Sequence, residues 1–241
     1  MVLVLTRRSK RARRKGKIRI IGEANGVLVG GHIIISDTHF LFDRDIKNYE
    51  ASYHVLSSIK RLKKYANKLI IAGDFKDPIF KVFEKEKQIL RNFVEDLLTI
   101  FSDVRIIKGN HDGKLENIIN SDFVVRERSL RLGNVIIAHG HAWPSNITGN
   151  TKFIVLGHSH PVFIFREYPN HPRLPVFVRY SIKEEFTERI GGRPEIIVLP
   201  AFNEYLGGQD VRETLLDVFY MYGYVDKESI RVYTATGVRL L

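Results

Sequence analysis

The chain has 241 residues, of which 44% are hydrophobic and 27% are charged, proportions that are ordinary for a globular protein and unlike a disordered or fibrous one. This length suffices for one large α/β domain with a buried core, and no break in composition asks for two. Cysteine is absent, which excludes disulfides and thiolate metal sites and leaves histidine, aspartate and asparagine as the available ligands.

The positive charge is concentrated near the N-terminus. Lys and Arg number 38 against 27 Asp and Glu, a net charge of +11. The segment 7–17, RRSKRARRKGK, holds eight of the basic residues and no acidic one, so the remaining chain is close to neutral. We therefore expect a basic, flexible tail over residues 1–17 and a single domain over residues 18–241.

Three roles for this tail stay open. A solvated segment that only aids solubility is one. Binding to the phosphates of DNA or RNA is a second role, since each neutralised phosphate releases a counterion and adds salt-sensitive affinity. An anionic membrane surface is the third, although no amphipathic stretch accompanies the charges.

The start of the chain does not have the order of a secretory signal, because the short apolar stretch MVLVL precedes the charges. No apolar run approaches the roughly 18 residues that a membrane span requires. We expect a cytoplasmic protein that does not enter a membrane.

The first predicted elements are a hairpin and two helices. Residues 17–21 and 27–29 flank Asn25-Gly26, a dipeptide that favours the two positive φ angles of a tight turn. Apolar residues at helical spacing predict helices over 46–65 and 80–101.

Short apolar runs predict strands, and those after residue 161 predict a second sheet. The runs lie at 32–35, 69–72, 104–107, 135–138 and 153–156, and then at 175–180, 196–199 and 230–234. Continuous rather than alternating hydrophobicity is typical of strands that are covered on both faces. We therefore predict an α/β fold, a two-sheet β-sandwich core flanked by α-helices in four αββα layers.

Each of the first five runs is followed at once by residues that can bind a metal. Because loops at the carboxyl ends of strands project side chains into a common crevice, these groups are expected to converge. The clusters are Asp37-Thr38-His39, Gly73-Asp74, Gly109-Asn110-His111-Asp112, His139-Gly140-His141 and Gly157-His158-Ser159-His160.

Carboxylate, imidazole and amide oxygen suit a hydrolytic site with divalent ions. An Asp shared by two ions roughly 3.5–4 Å apart permits a bridging hydroxide to attack phosphorus while both ions stabilise the transition state.

The order of these five clusters resembles the signature motifs of the calcineurin-like metallophosphoesterase superfamily, over residues 32 to 161. The stretches GDFK (73–76), AHGH (138–141), GHSHP (157–161) and LPAFNEYLGG (199–208) are similar to the small SbcD-related phosphoesterases of archaea. The resemblance implies a dinuclear metal-dependent phosphoesterase, most readily with Mn²⁺, while Fe, Zn, Ni and Mg stay possible.

The superfamily pattern also implies roles for individual residues. One metal would be held by Asp37, His39 and His160, the other by Asn110, His139 and His158, and Asp74 would bridge them. His111 would contact the substrate phosphate and protonate the leaving oxygen, a task for which imidazole has a suitable pKa.

The predicted roles of three further residues are less definite. Asp77 would orient His111, or it would only stand at the start of a helix. Asp112 is a candidate hydrogen-bond acceptor behind the ligands. His141 is either a neighbour of the metal or substrate or an ordinary loop histidine.

Two departures from the family pattern narrow the function. Pro78 follows Asp77, where the Ser/Thr phosphatase branch has a phosphate-binding arginine, so a protein phosphatase is not expected. Only 81 residues follow the last motif, whereas SbcD-type nucleases add a DNA-gripping region there, so processing of duplex ends is not expected.

We therefore expect a phosphodiesterase acting on nucleic acid or nucleotides. A phosphomonoesterase of a small substrate is one alternative. A non-catalytic scaffold on the same fold, binding nucleic acid or protein, is the other.

Overall fold

The computed structural model of the protein describes residues 18–22, 24–45 and 48–241. The basic tail lies outside these residues, as does the beginning of the first predicted helix. Within the described part of the chain, no helix has both the length and the apolar character needed to cross a bilayer.

The chain forms four helices and fifteen strands in the described residues. The helices are α1 (Glu50–Arg61), α2 (Glu84–Leu98), α3 (Thr187–Ile190) and α4 (Val218–Met221). The strands are β1 (Ile18–Ile20), β2 (Gly26–Val29), β3 (His32–Ile35), β4 (Lys68–Ala72), β5 (Asp103–Ile107), β6 (Val124–Val125), β7 (Ser129–Leu132), β8 (Val135–Ala138), β9 (Phe153–Leu156), β10 (Pro161–Ile164), β11 (Arg173–Pro175), β12 (Phe177–Ile182), β13 (Glu195–Val198), β14 (Gln209–Asp210) and β15 (Val225–Tyr233).

The first sheet has the order β1-β2-β3-β4-β5-β6, and its strands are parallel from β3 onward. Alternate residues of a strand face opposite sides of the sheet. In β3, Ile33 and Ile35 face the helices, whereas Ile34 belongs to the core between the two sheets. Burial on both faces is the reason that the strand is a continuous apolar run.

The second sheet has the order β15-β12-β13-β9-β8-β7. Its inner face packs on the first sheet, where Ile137, Val155 and Ile197 share one buried cluster with Ile34 and Ile70. The prediction that this sheet lies after residue 161 was incomplete, because β7, β8 and β9 belong to it. Its parallel neighbours β8 and β9 present their carboxyl ends to those of the first sheet.

The two outer layers are built of different elements. Helices α1 and α2 cover the outer face of the first sheet, with Leu56, Ile59 and Phe93 buried against it. On the outer face of the second sheet, α4 and a three-stranded sheet of order β11-β10-β14 supply the cover. The α/β fold class and its two central sheets are as predicted, and the outer layer over the second sheet is made of short elements.

The predicted hairpin of β1 and β2 forms, but the tight two-residue turn belongs to the next pair of strands, β2 and β3. Strands β1 and β2 pair in antiparallel fashion, and Gly26 is the first residue of β2 rather than a turn residue. The two consecutive positive φ angles occur at Gly30 (55°) and Gly31 (86°), which join β2 to β3. A two-residue turn of this kind needs positive φ at both positions, which two glycines adopt without strain.

Both long helices begin later than the hydrophobic pattern predicted, because carboxylates cap them. The Asp43 carboxylate accepts the backbone N–H groups of Ala51 and Ser52 at the start of α1 (3.0 and 3.1 Å). Glu86 accepts the N–H of Phe83 (2.7 Å) at the start of α2. These bonds satisfy N–H groups that have no partner within the helix.

Candidate metal centre

Five loops meet where the carboxyl ends of the two sheets adjoin. Asp37 follows β3, Asp74 follows β4, and His139 follows β8. Asn110 and His111 follow β5, and His158 and His160 follow β9. All seven predicted metal ligands, with His111 and Asp77, therefore lie around one junction.

The backbone of these loops is strained where the side chains converge. Positive φ angles, which are uncommon for residues other than glycine, are found at Asp37, His39, Asp74, His158 and His160. Each such residue costs of order 1–3 kcal/mol and persists only when its surroundings hold it. The fold thus maintains an unfavourable backbone in order to direct these groups inward.

One group of donors comprises Asp37, His39 and His160, whose ligand atoms lie within 4.8 Å of one another. His160 Nε2 lies 3.1 Å from Asp37 Oδ1. His39 Nε2 is buried and has no hydrogen-bond partner among the described residues. A buried imidazole nitrogen without a partner is unfavourable in the protein alone, and a bound cation would satisfy it.

A second group comprises Asp74, His139 and His158, again within 4.8 Å. His139 Nε2 lies 3.2 Å from Asp74 Oδ2 and 3.1 Å from Asn110 Oδ1. The other ring nitrogen, Nδ1, donates to the carbonyl oxygen of Ala72 at 3.0 Å. This bond fixes the ring so that Nε2 faces the carboxylate and the amide oxygen.

Asp74 stands between the two groups. Its Oδ2 atom is 3.4 Å from His39 Nε2 and 3.2 Å from His139 Nε2, while its Oδ1 accepts the N–H of His111 at 2.9 Å. Oxygen and imidazole donors in two groups around one carboxylate fit divalent cations of the kind found at hydrolytic sites.

His111 and Asp77 form a third group with His39. The Asp77 carboxylate contacts His39 Nδ1 at 2.9 Å, whereas the main-chain carbonyl oxygen of Asp77 contacts His111 Nδ1 at 2.6 Å. Asp77 thus orients both rings. The sequence predicted that its carboxylate would orient His111, but the carboxylate hydrogen-bonds to His39, and the main-chain carbonyl oxygen contacts His111. The centre is open on this side, since His111 is only partly buried.

A family model for the calcineurin-like phosphoesterase superfamily domain matches residues 31–174, which is more than half of the chain. The chain belongs to this superfamily. A calcineurin-like phosphoesterase domain implies a metal-dependent hydrolase of phosphate esters, in keeping with the donor groups described above.

Two solved structures are similar to this phosphoesterase. The nuclease MPE of Pseudomonas putida has 21% identity and a TM-score of 0.60, over 92% of this chain and 94% of that one. A conserved uncharacterised protein of Streptococcus pneumoniae, described as a predicted phosphoesterase, has 12% identity and a TM-score of 0.33, over 87% and 91% of the two chains. The first likeness shows the fold alone. No curated protein matches this chain.

Close contacts shift the pKa values of Asp74, His139 and His158 in the phosphoesterase centre. Burial opposes ionisation of Asp74, yet the hydrogen bond and charge of His139 outweigh it and lower the Asp74 pKa to about 2. Burial likewise opposes protonation of His139, but Asp74 and Asp37 raise its pKa to about 9. Burial and the His139 charge lower the pKa of His158 to about 4, so this ring is neutral at pH 7.

Lys76 and Asn203 connect the loops of the centre, although the sequence analysis assigned neither residue a role. Lys76 is fully buried and donates from Nζ to the carbonyl oxygens of Pro78 (2.5 Å) and His111. Asn203 donates from Nδ2 to Thr38 O (3.0 Å), beside Asp37. The available signal was that Lys76 and Asn203 lie in GDFK and LPAFNEYLGG, two of the stretches that resemble the SbcD-related phosphoesterases.

The remaining candidates lie close to the ligands. The Asp112 carboxylate is fully buried and accepts the N–H groups of Gly109 (2.9 Å), Phe75 (3.0 Å) and Lys76 (3.1 Å). It therefore joins the loops after β4 and β5, as expected of an acceptor behind the ligands. The His141 ring is 5.2 Å from that of His139 and 6.1 Å from that of His158, which favours a neighbour of the centre.

Proposed function

We propose that this phosphoesterase hydrolyses phosphodiester bonds of nucleic acid or nucleotides at a centre of two divalent cations. The observation that carries the proposal is the position of Asp74, whose Oδ2 is within 3.4 Å of ring nitrogens from both donor groups. A carboxylate between two sets of ligands is what a shared pair of ions requires.

Asp37, His39 and His160 would hold one cation, Asn110, His139 and His158 the other, and Asp74 both. Two divalent ions at such a centre supply an activated water and offset the charge that develops on the phosphate oxygens. The buried carboxylates keep the ligands oriented, and the partly exposed rings of His111, His158 and His160 border the opening for the phosphate.

His111 would protonate the leaving oxygen. Its Nδ1 donates to the carbonyl oxygen of Asp77, a bond that orients the ring and leaves Nε2 to carry the proton for transfer. Nε2 lies 3.9 Å from Asp74 Oδ2, so the proton is held beside the proposed metal pair. Histidine suits this task because its pKa is near neutrality.

The finer assignments stay predictions. The four sequence stretches named above support the SbcD-related archaeal subgroup, and the donor set supports Mn²⁺ without excluding Fe, Zn, Ni or Mg. The Pseudomonas putida neighbour is a nuclease, which supports a nucleic-acid substrate. A cytoplasmic location and a single domain over residues 18–241 are predictions of the sequence.

The test is hydrolysis by the purified full chain, loaded with Mn²⁺, of bis(p-nitrophenyl) phosphate, p-nitrophenyl phosphate and single-stranded oligonucleotides. We expect faster turnover of the diesters, and a loss of about 10²–10⁴-fold in kcat for His111→Gln, the usual contribution of a general acid. His171→Gln is the matched control, because His171 lies in the distant connection between β10 and β11.

The alternatives predict other results. Preference for the monoester would indicate a phosphomonoesterase. A chain that binds no stoichiometric metal and turns over none of the three substrates would be a scaffold, and either result would contradict the proposal.

A further inference from the structure

A cleft of about 490 Å³ lies between the two loop segments that follow Asp77 and His111 in the chain. One wall is the segment Ile79–Val82, which begins two residues after Asp77, and the other begins at Gly113, two residues after His111. Since consecutive Cα atoms are about 3.8 Å apart, both walls start within about 8 Å of residues in the candidate centre. The volume falls within the range of small-molecule binding clefts.

Two contacts hold the walls together at the end near the centre. His111 Nδ1 bonds to Asp77 O at 2.6 Å, and Lys76 Nζ bridges the carbonyl oxygens of Pro78 and His111. The cleft therefore has a defined position relative to His111. A group seated in it would lie on the side where His111 is proposed to protonate the leaving oxygen.

Phe80 is the most exposed large apolar side chain of the described residues, at 96%. No ring or cation packs on it in this part of the chain, whereas the nearby Phe83 ring has Lys81 Nζ at 4.6 Å and Arg44 at 5.4 Å from its centroid. Ile79, beside Phe80, is 44% exposed. An aromatic face left open next to a polar centre indicates a stacking contact rather than a core position.

The charge of the cleft has one sign. Its lining by described residues includes Lys81, Lys87 and Lys114 and no carboxylate. Lys87 pairs with Glu84, whereas Lys81 and Lys114 are exposed at the rim. Lysines around an open aromatic ring are the combination by which proteins hold the phosphates and stack the bases of single strands.

We propose that this cleft binds an unstacked base of a single-stranded nucleic acid, that of the nucleotide whose sugar carries the leaving oxygen. Phe80 is the stacking residue, and Lys81 and Lys114 contact the flanking phosphates. The proposal rests on the proposed function and specifies its substrate class. A base inside a duplex presents no free face, so the cleft selects single strands.

The test compares binding of two labelled strands of equal length, oligothymidylate and a fully abasic strand, to the metal-free full chain by fluorescence anisotropy. Phe80→Ala is expected to weaken oligothymidylate binding at least about fivefold, the lower limit for loss of one stacked base, and to leave abasic-strand binding unchanged. Phe80→Trp should retain the affinity and Phe80→Leu should lose it, because stacking requires a ring.

Charge is tested separately. Lys114→Gln should weaken binding of both strands and reduce its salt dependence. Lys68→Gln, at the first residue of β4 and hence at the opposite end of the first sheet, is the control and should change neither.

Equal affinity of wild type and Phe80→Ala for oligothymidylate would overturn the inference. Full affinity of Phe80→Leu would also overturn it, since an apolar contact without stacking would then suffice. Both results are independent of turnover. Failure of the proposed function appears instead as a Mn²⁺-loaded wild type that does not hydrolyse bis(p-nitrophenyl) phosphate.

Discussion

His39 illustrates how single contacts prepare a ligand. Its Nδ1 donates to the Asp77 carboxylate at 2.9 Å, and its buried Nε2 has no hydrogen-bond partner in the part of the chain that the structure describes. The carboxylate selects the tautomer in which Nε2 carries the lone pair and fixes the orientation of the ring. His39 is therefore prepared for a metal even though the next residue, Phe40, packs into an apolar core against Phe75.

We predict that Asp77→Ala lowers the affinity of the centre for Mn²⁺ by about 10–100-fold, the usual effect of removing such a carboxylate. Asp77→Asn should have a smaller effect, since its side-chain oxygen can still accept the Nδ1 proton. Isothermal titration of the metal-free protein with Mn²⁺ measures this. Asp96→Ala, which removes a carboxylate paired with Lys60 on the helical surface, is the control.

Unchanged Mn²⁺ affinity of Asp77→Ala with a reduced kcat at saturating metal would contradict this prediction. It would indicate that the Asp77 carboxylate acts on His111, as the sequence predicted. The sequence could place Asp77 in the site, because it stands three residues after Asp74. It could not decide which histidine the carboxylate contacts, since that depends on the path of two loops from different strands.

At the scale of the secondary-structure elements, the loops that follow neighbouring strands can approach one another closely only where they have glycine. A Cβ atom at Gly109 would lie 2.0 Å from Asp74 Oδ1, and one at Gly73 would lie 2.2 Å from the His139 ring. The loops after β4, β5 and β8 can therefore meet only if these positions lack a side chain. This explains why a glycine precedes both Asp74 and Asn110.

We predict that Gly109→Ala displaces Asp74 and removes tight Mn²⁺ binding, together with a loss of about 1–3 kcal/mol in the free energy of unfolding, the usual range for overpacking. Gly113→Ala is the matched control, because nothing lies within 4 Å of its added Cβ. Metal titration and urea unfolding of both variants measure the two effects. Equal Mn²⁺ affinities for the two variants would show that the loops can separate.

A buried carboxylate outside the centre, that of Asp217, stands at the start of α4. Asp217 accepts the N–H groups of Phe219 and Tyr220 and the hydroxyl of Tyr180 (2.6 Å). Burial raises its pKa above the ordinary value of 3.8, although these hydrogen bonds oppose the shift. The folded state therefore holds the Asp217 proton more tightly than the unfolded state does.

We predict a corresponding pH dependence of stability. The contribution of protonated Asp217 is fully present below pH 3.8 and is lost as the pH rises through the raised folded pKa. The free energy of unfolding of wild type, relative to that of Asp217→Asn, should fall over this interval and then stay level. Urea unfolding of both proteins across the acidic range measures it, and parallel curves would contradict the assignment.

The local elements could be predicted more fully than their ends. The strands over 32–35, 135–138 and 153–156 have the predicted bounds, because a run that is buried on both faces is continuous in sequence. The helices were predicted too long at both ends. Asp43, which caps the start of α1, lies several residues before the helix, and Glu86, which caps the start of α2, lies inside it. The Gly30-Gly31 turn was missed because Asn25-Gly26 has the commoner composition for a tight turn.

At the scale of the whole molecule, the sequence could not show how strands pair over long distances. Strand β9 lies between β8 and β13, so residues 153–156 and 195–198 are neighbours. Hydrophobic periodicity contains no information on such pairing, and the second sheet was therefore placed too late in the chain. Convergence of the ligand loops was nevertheless predictable, since carboxyl ends of parallel strands share one edge.

The charge of the whole chain is a property mainly of residues 7–17. If this tail neutralises phosphates, deleting it should reduce the slope of log affinity against log salt for single-stranded DNA, by roughly 0.7 for each phosphate that the tail had neutralised. Turnover of bis(p-nitrophenyl) phosphate should persist, because the donor groups lie in the domain. Equal salt slopes with and without the tail would leave it as a solubilising segment.

The sharing of Asp74 by two cations is tested most directly by anomalous scattering from crystals of the full chain grown with Mn²⁺. We predict two manganese peaks roughly 3.5–4 Å apart, both within bonding distance of the Asp74 carboxylate, with His39 on one side and His139 on the other. A single peak, or two peaks that do not share Asp74, would contradict the dinuclear centre.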